Sequence, residues 1–561
     1  MYKNILTLVF LLLISQSYAQ QYDMRSEILT QLKNRGEVYI SISENQTNKL
    51  LKLNKLSFDK KHDGRIYFYA NTDAFNSLES TSVKYKLEPI PSLLTKVKMM
   101  NNIASFSSSW DSYPTYNQYD SLMNKFATDY PNLCKIHNLG TLNSGRKILA
   151  VQLGDSVNIN QNEPQFLYTS TMHGDEVVGY IMTLRLIEYL LENYNTDAQV
   201  KQIMDNVDIW INPLANPDGT YHTGDSTING AIRYNINNID LNRNYPDPED
   251  GLHPDGNTYQ AETQIFMNFA DSMNFVMSAN LHSGAEVINY PWDTWSQLPA
   301  DDNWWVYVSK MFADTAQANS PNGYMTKFGT GYTNGYQWYS VSGGRQDYMN
   351  YYKHCREVTF ELSNAKLLAE TELQSHWNYL STSMLNYMQE VTYGIKGRVT
   401  DSITGFAVKA KVEVLNHDID SSSVYSNDSG YYYRPIYTGI YDIKYSAKGY
   451  KSKVFELITV LNANYSIIDI ELAPETQSLN SIELNNKIDI FPNPVNDVLS
   501  ISSDIRIEGV EIYNTIGALI YSKIINDKYN IDLDVSNYKS GIYIIKIEAQ
   551  GGIVYKKIII Q

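Results

Sequence analysis

His173 and Glu176 stand three residues apart in Thr171-Met172-His173-Gly174-Asp175-Glu176-Val177. The stretch follows an apolar, strand-like run at 166–168 and precedes an amphipathic helical pattern over 178–192. A His and a Glu at this spacing, on a strand-to-helix turn, can converge on one metal ion. A catalytic zinc takes imidazole nitrogens and carboxylate oxygens at about 2.0–2.2 Å, with three protein ligands and one open position. The pair therefore needs a third ligand, and His282 in Asn280-Leu281-His282-Ser283-Gly284 can supply it. Asn242 and Arg243 lie between them, adjacent in Asp240-Leu241-Asn242-Arg243-Asn244. They can donate to a carboxylate, Arg bidentately. Glu361, in Thr359-Phe360-Glu361-Leu362, adds a second acid.

Strands must hold these residues. Apolar runs at 147–151, 165–170, 207–211, 275–281 and 356–362 read as strands, with helical patterns at 119–127 and 178–192. Buried strands alternating with helices predict an α/β fold, a mixed and mostly parallel sheet flanked by helices. In such sheets ligands sit at the carboxyl ends of strands. His173, Asn216, His282 and Glu361 all fall at or just after strand ends, which predicts one shared site.

The rest of the chain frames this unit. Its 561 residues are too many for one core, and about three or four domains are expected. The net charge of −16 argues against nucleic acid and anionic membrane surfaces as partners. Lys3, the apolar run 5–14 and Ser17-Tyr18-Ala19 predict a signal peptide over 1–19. No later stretch is long and apolar enough for a transmembrane segment. Residues 20–105 read as a small α+β region, with strands at 37–42 and 65–70 and a short helix at 48–56. It carries no metal or nucleophile constellation, and its place between signal peptide and enzyme suggests a propeptide. Ser105 to Ser109 reads as a linker. The catalytic unit covers 110–392. Short alternating strands over 394–473 predict a small β-sandwich, 474–487 a polar linker, and 488–561 a second β module. Cys134 and Cys355 are too few for a disulfide framework; two buried thiols are the default, pairing the alternative.

Taken together, these motifs resemble the zinc carboxypeptidases, specifically the regulatory carboxypeptidase N/E-type branch. The resemblance spans roughly 113–392 and rests on His173-x-x-Glu176, Asn216-Pro217-Asp218-Gly219, Asp240-Leu241-Asn242-Arg243-Asn244, His282, Ser340-Val341-Ser342-Gly343-Gly344 and Phe360-Glu361-Leu362. It implies one Zn2+ held by His173, Glu176 and His282, with Asp240 orienting the first His. It implies that Glu361 is the general base and acid, and that Arg233 stabilises the oxyanion. Asn242, Arg243 and Tyr339 match the clamp on the substrate's terminal carboxylate, and Arg146 a contact further from its end. Gln346 and Asp293 match the pocket that favours Lys or Arg in that branch. The branch's His-Gly-Gly is His282-Ser283-Gly284 here, and its Pro-Tyr-Asp is Pro291-Trp292-Asp293.

Residues 394–473 resemble the transthyretin-like domain that follows the catalytic unit in that branch. Phe491-Pro492-Asn493-Pro494-Val495, 510–517, Ser540-Gly541-Ile542-Tyr543 and Lys556-Lys557-Ile558 resemble the sorting domain of the type IX secretion system. That implies partnership with the secretion machinery and export across an outer membrane, to the cell surface or beyond. Two rival functions remain at this level. One is an amidase acting on peptidoglycan stem peptides with the same fold. The other is a non-catalytic surface binder that uses the β modules.

Overall fold

The structure, a computed structural model, describes residues 24–46, 56–101, 110–475, 484–550 and 552–561. The expected signal peptide, most of the short helix at 48–56, the Ser-rich stretch and most of the 474–487 linker lie outside them. The chain divides into two units: one holds residues up to Thr392, the other nearly everything after it.

The first unit begins with an α+β subdomain. Helix α1 (24–35) leads into β1 (Val38–Ser43), β2 (Ser57–His62) and β3 (Arg65–Ala70). Helix α2 (Thr72–Glu79) and β4 (Tyr85–Glu88) follow. The strands form an antiparallel sheet in the order β2-β3-β1-β4. Asn71 caps α2 by accepting from the Ala74 amide, which satisfies one of the helix's orphan donors. Ile28, Ile40, Phe68, Phe75 and Leu78 fill the core between helices and sheet.

The larger part of this unit is an eight-stranded mixed sheet, ordered β11-β10-β12-β9-β7-β8-β6-β5. Its members are β5 (Cys134–Thr141), β6 (Lys147–Leu153), β7 (Gln165–Ser170), β8 (Asp208–Asn212), β9 (Phe275–His282), β10 (Ala285–Tyr290), β11 (Tyr332–Asn334) and β12 (Arg356–Ser363). The inner strands β8, β7, β9 and β12 run parallel, while β5 and β6 at one edge and β10 beside β12 are antiparallel. Every residue of β9 is buried, as expected of a strand covered on both faces. Helices α3 (Tyr116–Asp129), α4 (Val178–Asn193), α5 (Ala261–Ser272), α6 (Asp302–Ala318), α7 (Arg345–Lys353) and α8 (Glu370–Gln389) flank it. The α3 start is a capping box between Thr115 and Gln118, which extends the helix three residues ahead of its apolar pattern. Cys134 and Cys355 are buried free thiols and do not pair.

The second unit holds two β modules. In 394–473, two four-stranded sheets enclose one core that includes Val399, Val412, Tyr432 and Ile443. In the last module a single five-stranded sheet forms the core around Leu499, Val510 and Ile547. Its longest strand, Val498–Asn514, breaks register between Ser502 and Ile507. That bulge bends the strand and lets one sheet wrap its own core. No helix among the described residues is long and apolar enough to cross a membrane.

Candidate metal centre and cleft

The turn after β7 is built around close backbone approach. Thr171 sits at φ +63°, an unfavourable region for a β-branched residue, and the Asn216 amide holds it by donating to its carbonyl. The Asn216 side chain donates to the carbonyls of Met172 and Tyr234, tying this turn to the neighbouring loop. Gly174 has no room for a side chain: a Cβ there would lie 2.4 Å from the Gly219 carbonyl carbon and 2.6 Å from the Ile232 oxygen. Gly174→Ala is therefore expected to cost about 1–3 kcal/mol by overpacking. It should also loosen metal binding by displacing His173; a thermal melt and a zinc titration check both.

His282 is the last residue of β9, and β9 runs parallel between β7 and β12. This places it beside the β7 turn and in register with Glu361 on β12. His173 Nδ1 and His282 Nδ1 are 3.1 Å apart. Glu176 Oε1 lies 3.1 Å from the first and Oε2 2.8 Å from the second. All three residues are buried, and together they could hold a metal ion. Two imidazole nitrogens and a carboxylate facing one point are the donor set zinc prefers, so the residues fit a zinc ion.

Burial and the surrounding charges act on these groups in different directions. Burial pushes His282 down to about 4, so its imidazole is neutral. Burial opposes ionisation of Glu176, but Lys366 and then His173 outweigh it and hold the carboxyl well below its usual range. His173 Nε2 meets Asp240 Oδ1 at 3.0 Å. Burial also disfavours the Asp240 carboxylate, yet Arg233 and His173 keep it ionised. A carboxylate on the far nitrogen of a ligating His fixes its tautomer and raises its basicity.

The cleft is lined by His173, Glu176, Arg233, Asn242, His282, Asp293, Tyr339 and Glu361, among others. Arg233 donates from Nη1 to Glu176 Oε1 (3.0 Å) and from Nε to Asp240 Oδ2 (3.2 Å), so in this state it braces the ligand shell. Arg243 donates to the Asn242 carbonyl, while Asn242 Oδ1 accepts from the Arg345 amide. Asp293 and Gln346 meet: the Gln346 amide donates to Asp293 Oδ1 at 3.1 Å, and Asn289 donates to the same oxygen. Burial lifts the Asp293 carboxyl to about 7.

Arg146 is tied down elsewhere, and Arg243 and Gln346 are likewise absent from the cleft lining. The Arg146 guanidinium is engaged by Asp218, Asp225 and the Tyr221 carbonyl, and it is not among the residues lining the cleft. The two acids that capture it are distant in sequence, and nothing in Ser144-Gly145-Arg146 announces them.

Three participants carried no sequence signal. Lys366 donates to Glu176 Oε1 at 2.7 Å, yet reads as one lysine in a turn after β12. Asp347 accepts from the amides of Asp293 and Thr294 and so anchors the pocket acid. The third is the N-terminal subdomain itself. Phe58 and Asp59 of β2 line the cleft. The Phe58 ring lies 4.2 Å from that of Tyr339, Asp59 pairs with Lys366 at 3.1 Å, and Ser57 donates to Asp240 at 2.6 Å.

Three stretches of the chain match known families. Residues 119–382 match the family described as zinc carboxypeptidase, 394–473 the carboxypeptidase regulatory-like domain, and 489–561 the secretion system C-terminal sorting domain. Carboxypeptidase D of Homo sapiens is 35% identical over 372 residues, covering 62% of this chain and 26% of the human protein. The chain thus spans about a quarter of the length of the carboxypeptidase D relatives it matches. The carboxypeptidase N catalytic chain of Rattus norvegicus is 30% identical over 416 residues, covering 66% of this chain and 88% of that one. Among solved structures, carboxypeptidase A from Helicoverpa armigera is 19% identical with a TM-score of 0.48, covering 63% of this chain and 98% of that chain.

Proposed function

Because this chain belongs to the zinc carboxypeptidase family, we propose that it releases single residues, Lys and Arg above others, from the C-termini of peptides and proteins. The observation that carries the reading is the convergence of His173, Glu176 and His282 beside Glu361 at the carboxyl ends of adjacent strands. Zinc held by those three residues would polarise the scissile carbonyl and acidify water. Glu361 takes the proton from the attacking water and passes it to the leaving amine. Arg233 lines the same cleft and turns from the ligand shell to the developing oxyanion. Asn242, Arg243 and Tyr339 receive the terminal carboxylate.

Asp293 supports the basic preference. It is 3% exposed, held by two amide donors, and close to Asn242 and Tyr339 in the cleft wall. A cationic side chain arriving there gives the acid a partner, whereas an apolar one leaves it uncompensated. The test is hydrolysis of matched peptides ending in Arg and in Phe, with and without a zinc chelator. The expected result is chelator-sensitive release of Arg. Asp293→Ala should weaken it by about 2–5 kcal/mol in kcat/KM, the cost of truncating one partner of a buried charge pair. Release of Phe in preference to Arg would sink the basic pocket. Release from muropeptides alone would favour the stem-peptide reading.

The C-terminal module fits export through the type IX machinery to the cell surface or medium. Residues 24–101 fit a propeptide, because their β2 strand places Phe58 and Asp59 in the cleft where a peptide substrate must lie.

A further inference from the structure

His173 and His282 face each other through Nδ1, so these are the atoms that would hold a cation. An imidazole offers a lone pair on one nitrogen only while the other carries its hydrogen. The Nε2 of each ligating His must then be a donor. For His173 the acceptor is Asp240. For His282 the only side chain in place among the described residues is the amide of Asn280, 2.9 Å from Nε2. Asn280 is 1% exposed and precedes His282 by two residues on β9, so both side chains project from the same face of the strand.

We propose that Asn280 is the positioning residue of His282, and that in the metal-loaded protein its amide oxygen accepts the Nε2 hydrogen. That bond fixes the tautomer and the plane of the ring, as Asp240 does for His173. A primary amide presents either a donor or an acceptor to the same neighbour by a half-turn about its last torsion. What sits behind Asn280 decides how freely it turns. Thr169 Oγ1 lies 3.4 Å from Asn280 Oδ1 and accepts from Arg345 Nη1 at 2.6 Å. Arg345 also donates to Glu357 at 3.1 Å, and Glu357 accepts from Ser278 at 2.7 Å.

A guanidinium can only donate, so the Thr169 oxygen is held as an acceptor and its hydrogen is left for Asn280. In this arrangement the Asn280 oxygen faces Thr169 and its NH2 faces His282. At 3.4 Å the Thr169 contact is at the limit of a hydrogen bond, whereas the 2.9 Å contact to His282 is a full one. His282 is therefore the stronger partner of the amide, and a cation on its Nδ1 calls for the amide oxygen at Nε2. The remaining neighbour, Met172 Sδ at 3.1 Å, is a weak acceptor and opposes the turn little.

The inference rests on His282 being a metal ligand. The experiment is zinc affinity, by chelator competition, of the full chain carrying Asn280→Leu or Asn280→Asp. The Leu variant should bind zinc about 10–100-fold more weakly, the usual loss when an outer-shell partner is removed. The Asp variant, which can only accept, should stay within a few-fold of wild type. A purely structural role would instead lower the melting temperature of metal-free and loaded protein alike and leave zinc affinity unchanged. Wild-type affinity in the Leu variant, or equal losses in both variants, would overturn the proposal. A wild-type chain that binds no zinc would overturn the underlying site as well. If the Leu variant does not fold, imidazole nitrogen shifts of zinc-loaded wild type decide: a protonated His282 Nε2 supports the proposal and a bare one overturns it.

Discussion

Glu361→Gln is expected to lower kcat/KM on an Arg-ended peptide by about 10²–10⁴-fold, the usual contribution of a positioned general base. Zinc content should stay at the wild-type level. The two halves of this expectation come from different features. Glu361 lines the cleft next to His282, but His173, Glu176 and His282 form the ligand set without it. Among the described residues its Oε2 has no hydrogen-bond partner to lose when the oxygen becomes an amide. Burial, with Glu176 adding to it, raises the carboxyl to about 8, and a strongly shifted carboxyl inside a cleft marks a functional-site residue. Gln preserves the shape and removes the basicity. A variant within a few-fold of wild type would remove Glu361 from the chemistry, and a variant that lost zinc would show that it acts through the ligands.

The second large effect is expected from the N-terminal subdomain. Cutting the folded chain at a protease site engineered into 102–109, and separating residues 24–101, should raise activity on the order of 10²-fold. That figure assumes a closed form populated to about 99%, which leaves about one molecule in a hundred open. The closing contacts are specific: Phe58 against Tyr339, Asp59 on Lys366, and Ser57 on the Asp240 that orients His173. Tyr39 donates to Asp59 at 2.6 Å and holds it in place. Phe58→Ala with Asp59→Ala should therefore raise activity in the uncut chain too, by less, because Tyr69 still donates to Asp175. Equal activity before and after cutting would sink the propeptide reading and leave the carboxypeptidase reading standing.

The metal ligands were legible because their chemistry depends on residue type and spacing. His173 and Glu176 share one turn, and His282 ends a strand whose apolar run is plain in the sequence. Glu361 was legible for the same reason, as an acid breaking an apolar strand. What stayed hidden is polarity supplied from a distance. Lys366 is a single lysine with no motif around it, and it matters only because the turn after β12 passes Glu176. Asn280 lies inside an apolar strand and acquires meaning only from the His282 ring beside it. The strand Ser57-Phe58-Asp59 has no motif at all, and its role comes from contacts nearly two hundred residues away in sequence, at Asp240. Arg146 shows the opposite case: the motif was recognisable, but the acceptors Asp218 and Asp225 that engage its guanidinium were not.

The loop 228–240 carries Arg233 and Asp240 and contains neither helix nor strand. Its polar backbone groups are met from outside. Arg35 donates to the carbonyls of Gly230 and Ala231, Ser92 donates to Ala231, Asn71 donates to Asn238, and Glu37 accepts from the Arg233 amide. Buried backbone groups left unpaired each cost about 1–3 kcal/mol, so this loop settles most cheaply against a subdomain that is already formed. The N-terminal subdomain is thus also a mould, made first during synthesis and pressed against the loop as it sets. Order of events then matters as much as occupancy: a chain that loses its mould early must set the loop without it, whereas one trimmed late keeps the shape it was cast in.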